Sequence, residues 1–232
     1  EAFVANANGS PNYLENLNVK KWRLLKTDEQ QNIKTIETIG KPIGKLFDIC
    51  VGIATLKDDI FFIDGSNKKN GCYIKTTHNG SFEIEKEVVK PVYKISDFRT
   101  QEEVEHNTRK IIFPYNIKNG IATAIPESDF KKKFPKCFAY LITEKENLLA
   151  RDKGKVNFEP FFVWGRTQGL TRTGKKILNP TFSQQPRFLL VEEEGFFTNG
   201  YGLYFREQES NGLFSEFINP ITKLENIDVV QK

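Results

Sequence analysis

Near the start of the chain Ile33, Ile36 and Ile39 recur at intervals of three, the spacing of one helix face. Thr27 with Gln30 three residues on has the spacing of a capping box, and Gly40 can supply a left-handed exit, so the pattern predicts a helix over Asp28–Ile39. Leu46–Val51 and Ile60–Asp64 are short β-rich runs separated by 52–59, which predicts strand, loop, strand. Cys72–Thr76 and Phe82–Glu85 flank His78, Asn79 and Gly80 as the arms of a hairpin. Lys110–Phe113 reads as a strand stopped by Pro114. Pro126 opens a short helix over Glu127–Lys133, and Pro135 restarts one expected to run through Asp152, with Phe138, Leu141, Ile142, Leu148 and Leu149 near one face. Beyond Gly154 the pattern is β: Phe161–Gly165, Lys175–Leu178, Arg187–Val191, Gly195–Thr198 and Gly202–Phe205. The fold class expected is α+β, with mixed, mostly antiparallel short strands and a few helices.

Composition narrows the class. The chain has 232 residues, of which 38% are hydrophobic and 20 are Phe, enough to build a core and to exclude disorder for most of it. No run approaches the roughly 18 apolar residues of a membrane span, so no membrane partner is expected, and none resembles the apolar core of a signal peptide. The 3 cysteines, Cys50, Cys72 and Cys137, are too few and too scattered for a disulfide scaffold, which points to a reducing, cytoplasmic setting. The first ten residues, with Asn6, Asn8 and Gly9, read as a loosely held leader. The chain contains no Met, and Leu224–Lys232 reads as a helix barely begun, so further sequence is expected on at least one side.

A net charge of +4 decides little, but its distribution is informative. Pro160–Val191 contains no Asp or Glu, yet holds Arg166, Arg172, Lys175, Lys176 and Arg187. Lys131–Lys155 carries 8 basic residues against Glu144, Glu146 and Asp152. Trp164, Phe182, Gln168, Gln184, Gln185 and Asn179 are interleaved with these cations. Such a segment suits a polyanion, with Arg and Lys on phosphates and amides on base edges; it also fits an ordinary solvated basic face.

Catalytic chemistry finds little support. The cysteines and the 2 histidines, His78 and His106, have no metal-ligand spacing and form no close Cys/His pair. Gly40–Lys45 is one residue short of a phosphate-binding loop and is followed by Leu46, so it reads as a helix-to-strand turn. Neither a dinucleotide fingerprint nor a nucleophile elbow occurs. Asp58 and Asp59 stand together, but nothing marks them as an acid/base pair.

Several phrases taken together carry a likeness: Trp22–Leu25, Phe47–Ile63, Val89–Val92, Ile111–Tyr115, Leu148–Lys155, Phe162–Leu170, Gly174–Ile177 and Phe197–Gly202. In this order they resemble the TaqI-like specificity domain, the target-recognition part found C-terminal to the catalytic domain in many bacterial adenine N6 DNA methyltransferases. The resemblance implies that this chain reads double-stranded DNA in a restriction-modification system. A separate domain of the same parent chain would bind S-adenosylmethionine and hold the catalytic motif opposite a flipped-out adenine. It implies no cofactor and no catalytic residue here; the chain has no Pro-Pro, and Asn179–Phe182 lacks the second proline of that motif. Residues 1–16 would then be a leader from the catalytic domain, and 17–232 the specificity domain, truncated at its C-terminus. The strand before Gly165 and Arg166 reads Phe161–Trp164 where the family varies. Two other classes stay open: a nucleic-acid-binding module unrelated to methylation, and a protein-interaction domain with a basic face.

The candidate DNA-binding residues are Arg151, Lys153, Lys155, Arg166, Gln168, Arg172, Lys175, Lys176 and Lys57. Arg166 and Gln168 would share one side of an extended turn between Gly165 and Gly169, Arg166 forking onto a phosphate or guanine and Gln168 onto an adenine. Alternatively Arg166 makes a buried salt bridge and Gln168 bonds the backbone. Arg151, Lys153 and Lys155 follow the expected helix and either touch phosphate or complement the helix dipole. Lys175 and Lys176 must face opposite sides of a strand, so only one of them can meet DNA. Trp164 is read as core, and Lys57 as a surface cation with a salt bridge as its alternative role.

Overall fold

The computed structural model describes residues 25–39 and 42–206. The leader, the Trp22–Leu24 part of its phrase, the Gly40 exit and the incipient helix at 224–232 lie outside the described residues. The chain divides into two units, Glu1–Leu46 and Phe47–Lys232.

The first unit holds α1 (Thr27–Thr38) and one helical turn, α2 (Ile43–Leu46). The expected capping box is displaced by one residue. Thr27 is already helical, and Glu29 reaches back to accept the Lys26 main-chain N–H at 2.9 Å, while the Gln30 amide donates to the Leu25 carbonyl at 2.8 Å. Asp28 and Glu29 in the first turn complement the helix dipole.

The second unit begins with β1 (Phe47–Val51), α3 (Asp58–Phe61), β2 (Phe62–Asp64), β3 (Lys68–Lys69), β4 (Cys72–Thr77) and β5 (Gly80–Ile84). It continues through β6 (Val89–Lys94), α4 (Gln101–Glu105), β7 (Arg109–Ile112), β8 (Tyr115–Lys118) and β9 (Ile121–Ala124). Three helices follow, α5 (Glu127–Lys133), α6 (Pro135–Thr143) and α7 (Lys145–Leu149), then β10 (Lys176–Pro180), β11 (Leu189–Val191), β12 (Phe196–Thr198) and β13 (Gly200–Phe205). One sheet has the order β1-β13-β10-β11, a second β12-β6-β7-β2, and β3-β4-β5 and β8-β9 form smaller ribbons. The β12–β6 pair is parallel and the other pairs are antiparallel. This is an α+β fold.

Two expectations are corrected. The helix from Pro135 does not continue to Asp152: it breaks at Glu144 (φ −104°, ψ 5°), restarts as α7, and ends in a 3-10 turn over Arg151–Gly154. The break changes the phase of the helical face, so Phe138, Leu141 and Leu148 are buried but Ile142 and Leu149 are exposed. Phe161–Gly165 is a series of turns rather than a strand. Phe161, Phe162 and Trp164 are all buried there, which the two-residue alternation of a half-buried strand would not permit.

The larger core packs Phe113 flat against Phe196, centroids 4.9 Å apart, with Trp164 edge-on to both. Trp164 stays inside because the indole N–H donates to the Ile112 carbonyl at 3.1 Å and its main-chain N–H donates to the Tyr115 hydroxyl at 2.6 Å. A second cluster gathers Tyr93, Ile95, Phe98, Val104, Leu178, Leu189, Val191 and Phe197. The chain crosses from the second sheet to the first at Asn199, in the left-handed region (φ 65°).

Close approach at this crossing requires glycine. A Cβ on Gly200 would lie 2.3 Å from the Asn179 carbonyl oxygen, whereas one on Gly174 meets nothing within 4 Å. Gly200→Ala is therefore expected to cost roughly 1–3 kcal/mol of stability and Gly174→Ala close to nothing, as read from urea midpoints. Equal midpoints for the two variants would contradict the packing described.

Candidate functional site

Arg151 enters the fold on the turn after α7, where Asp152 (φ 52°), Lys153 (φ 59°) and Gly154 (φ 69°) reverse the chain through three successive left-handed residues. The reversal aims its side chain inward, and only 2% of the residue remains exposed. The guanidinium donates to four main-chain carbonyls: Leu148 at 2.7 Å, Val163 at 2.6 Å, Phe161 at 2.9 Å and Thr55 at 3.1 Å. Its Cζ lies 4.1 Å from the Phe158 ring centroid. Burial lowers its pKa to about 10, opposed by the nearby Tyr115, so it remains a cation at neutral pH. The expected phosphate contact is thus replaced by an internal role, because the donors are consumed by backbone acceptors.

Those acceptors belong to three separate stretches, which the guanidinium ties together. Main-chain bonds complete the assembly: Gly165 N–H donates to the Thr55 carbonyl and Arg166 N–H to the Ala54 carbonyl, each at 3.0 Å. The 52–58 loop is itself tightened by Thr55, whose hydroxyl donates to Asp58 at 2.5 Å and accepts the Lys57 N–H at 3.1 Å. Leu56 is left-handed (φ 62°) and occupies the space a Cβ on Gly165 would need, 2.3 Å from its Cγ. Left-handed non-glycine residues cost about 1–2 kcal/mol each and persist where their surroundings over-determine them. Leu56, Asp152 and Lys153 concentrate that strain in adjoining loops.

The assembly brings five of the nine candidates to neighbouring loops. Arg166 is exposed, with its guanidinium 3.7 Å from Asp152 and bonded to its own Gly165 carbonyl; a surface pair this loose contributes little and leaves the group available. Gln168 is exposed but donates to the Gly52 carbonyl at 2.8 Å, the backbone role weighed above as its alternative. Lys153 and Lys155 are exposed on the turn that Arg151 anchors, and Lys57 is half-buried on the facing loop.

The remaining candidates lie toward the other end of the first sheet. Arg172 stands over the Tyr204 ring and 3.9 Å from Asp48, which Arg206 also engages at 3.0 Å. Lys175 pairs with Glu192 at 2.6 Å. Lys176 is fully buried at the start of β10, its ammonium donating to the Thr173 and Gly174 carbonyls at 3.0 and 2.8 Å. The opposite orientations expected for Lys175 and Lys176 are observed, and the inward one has no surface to offer. Sequence patterning missed Asp152 as the neighbour of Arg166, although the two stand in the phrases quoted for the resemblance.

Compared with known proteins, the chain matches no family model and no curated relative. Among the described residues no three His, Cys, Asp or Glu side chains gather as metal ligands, and no helix is long and apolar enough to cross a membrane.

Two expectations follow from the buried cations. Arg151→Lys keeps the charge but loses the planar fork, leaving carbonyls unsatisfied, and should lower stability by about 2–4 kcal/mol in urea unfolding. A loss below about 0.5 kcal/mol would mean that the guanidinium does not hold the three stretches. Burial lowers the Lys176 pKa from an ordinary 10.5 to about 8, with Glu194 opposing. The unfolded chain therefore binds more protons between those values, so stability should rise as pH climbs through that window, by at most about 3 kcal/mol, and the penalty is fully present below about pH 8. Lys75, lowered by burial as well, adds in the same direction. Unfolding of Lys176→Met at several pH values should show a smaller rise than the wild type.

Proposed function

We propose that the chain is a sequence-specific double-stranded DNA recognition domain of an adenine N6 DNA methyltransferase. The observation that carries this reading is a convergence. Three of the phrases quoted for the resemblance, Phe47–Ile63, Leu148–Lys155 and Phe162–Leu170, supply Arg151 and three of the four carbonyls that its buried guanidinium holds, those of Thr55, Leu148 and Val163. The same three stretches carry Lys57, Lys153, Lys155, Arg166 and Gln168 on their outer sides.

In this reading the protein's work is positional. Exposed Lys and Arg side chains neutralise phosphates and release counterions, which fixes the duplex in register. Arg166, presented on a braced loop, would fork onto a phosphate or a guanine edge. Anchored loops lose little freedom on binding, so more of the contact energy appears as affinity. Gripping the duplex on one side lets a separate catalytic domain take an adenine out of the stack. The methyl group comes from S-adenosylmethionine bound by that domain of the parent chain, in a restriction-modification system.

The test has two parts. The parent protein incubated with S-adenosylmethionine and mixed genomic DNA should deposit N6-methyladenine at one short motif, mapped by sequencing. For the chain itself, the logarithm of the duplex binding constant should fall linearly with the logarithm of salt concentration. Arg166→Ala should lose roughly 1–3 kcal/mol of binding, and Lys153→Ala should reduce the salt slope by about 1. Salt-independent binding, or an unchanged dissociation constant in a folded Arg166→Ala variant, would sink the reading.

A further inference from the structure

Antiparallel pairing sends several loops of the first sheet to one edge. Val51 at the end of β1 faces Tyr201, and Pro180 at the end of β10 faces Gly200, both at the start of the central β13. The loops after β1 and after β10 therefore leave the sheet two strand spacings apart, about 10 Å. The first of these carries Lys57 and is bonded to the Arg166 turn; main-chain bonds from Gly52 to Gly200 and from Thr181 to Asn199 tie both loops to the same corner.

The second loop carries an apolar side chain that the core does not use. Its Phe182 is 91% exposed, the most exposed large apolar side chain among the described residues, although 20 phenylalanines are available and most of those described are buried. The base of the loop is held firmly. Asn179 donates to the Arg187 carbonyl at 2.9 Å, Arg187 donates to the Phe98 carbonyl at 2.8 Å, and Gln101 both donates to and accepts from Leu190. Phe182 lines an open groove of about 920 Å³ with Ser96, Arg99, Gln184, Gln185 and Arg187, and its described lining contains no carboxylate. Glu103 accepts the Arg99 main-chain N–H and feels the charges of Arg99 and Arg187.

An exposed aromatic on a pinned loop, flanked by two cations and two amides, suits a stacked base beside a phosphate better than an apolar protein surface. We propose that Phe182 is a wedge that inserts at a base step of duplex DNA, with Gln184 and Gln185 facing base edges and Arg99 and Arg187 the adjacent phosphates. This rests on the DNA-recognition reading and extends it to a second loop that leaves the same corner of the sheet as the Lys57 loop. Insertion opens the step on the side the ring enters, partly unstacks it and kinks the duplex there.

The full chain should be titrated with a labelled mixed-sequence duplex and with its separated single strand. Stacking tolerates any base, so no particular site is needed. Phe182→Ala should weaken duplex binding roughly 5- to 100-fold without changing the salt slope, because no charge is lost. Phe182→Trp should bind like the wild type and show tryptophan quenching on adding duplex that the wild type does not show. If wild-type binding remains salt-dependent while Phe182→Ala binds equally well and Phe182→Trp is not quenched, the wedge is wrong and the recognition reading stands. If the wild type binds no duplex, both fall. Tighter binding of the single strand, with the same quenching, would replace the wedge by a single-strand platform.

Discussion

The bonds from Arg151 to four carbonyls are the constraint on which the loop region depends. Moving a guanidinium out of water costs several kcal/mol, and no carboxylate among its described contacts offsets that cost. The carbonyl dipoles of Leu148, Thr55, Phe161 and Val163 do so, and in exchange their own need for donors is met. Such an arrangement is all or nothing: a half-satisfied buried network is worse than none. Three stretches, one of them nearly a hundred residues away in the chain from the other two, therefore order together around one side chain.

The strained residues make sense in that frame. Leu56, Asp152 and Lys153 could each relax on an isolated loop, but not while the carbonyls beside them are fixed by Arg151 and by the main-chain bonds of Gly165 and Arg166. Rigid loops that display Lys57, Lys153, Lys155 and Arg166 give a surface whose cations keep defined positions, which is what registering a duplex requires. Lys176 follows the inward logic: it is buried with its ammonium on two carbonyls, and its depressed pKa records the desolvation.

Much of the secondary structure was legible because local chemistry was decisive. The helix over Glu127–Lys133 is bounded by prolines on both sides and has the expected ends. The hairpin of β4 and β5 follows its turn residues, and the strands expected from Lys175 onward fall near their places. The β8–β9 hairpin, turning at Asn119 and Gly120 with positive φ, carried an Asn-Gly turn signal that the sequence reading passed over; α4, with its Thr100 and Glu103 capping box, was likewise missed. The helix restarting at Pro135 was read too long because apolar spacing alone does not register the break at Glu144.

The sequence by itself determined an α+β chain with a phenylalanine-rich core, a basic stretch free of carboxylates, and the phrases that suggest DNA recognition. Tertiary structure decided which cations face out. Arg151 and Lys153 are two residues apart and Lys175 and Lys176 are adjacent, yet nothing in their local pattern says which is enclosed. Burial is set by carbonyls from distant segments, Thr55 against Arg151 above all, and by the left-handed turn that directs the side chain inward. Likewise the common edge shared by the Lys57 loop and the Phe182 loop comes from strand order and register, which one-dimensional spacing does not encode.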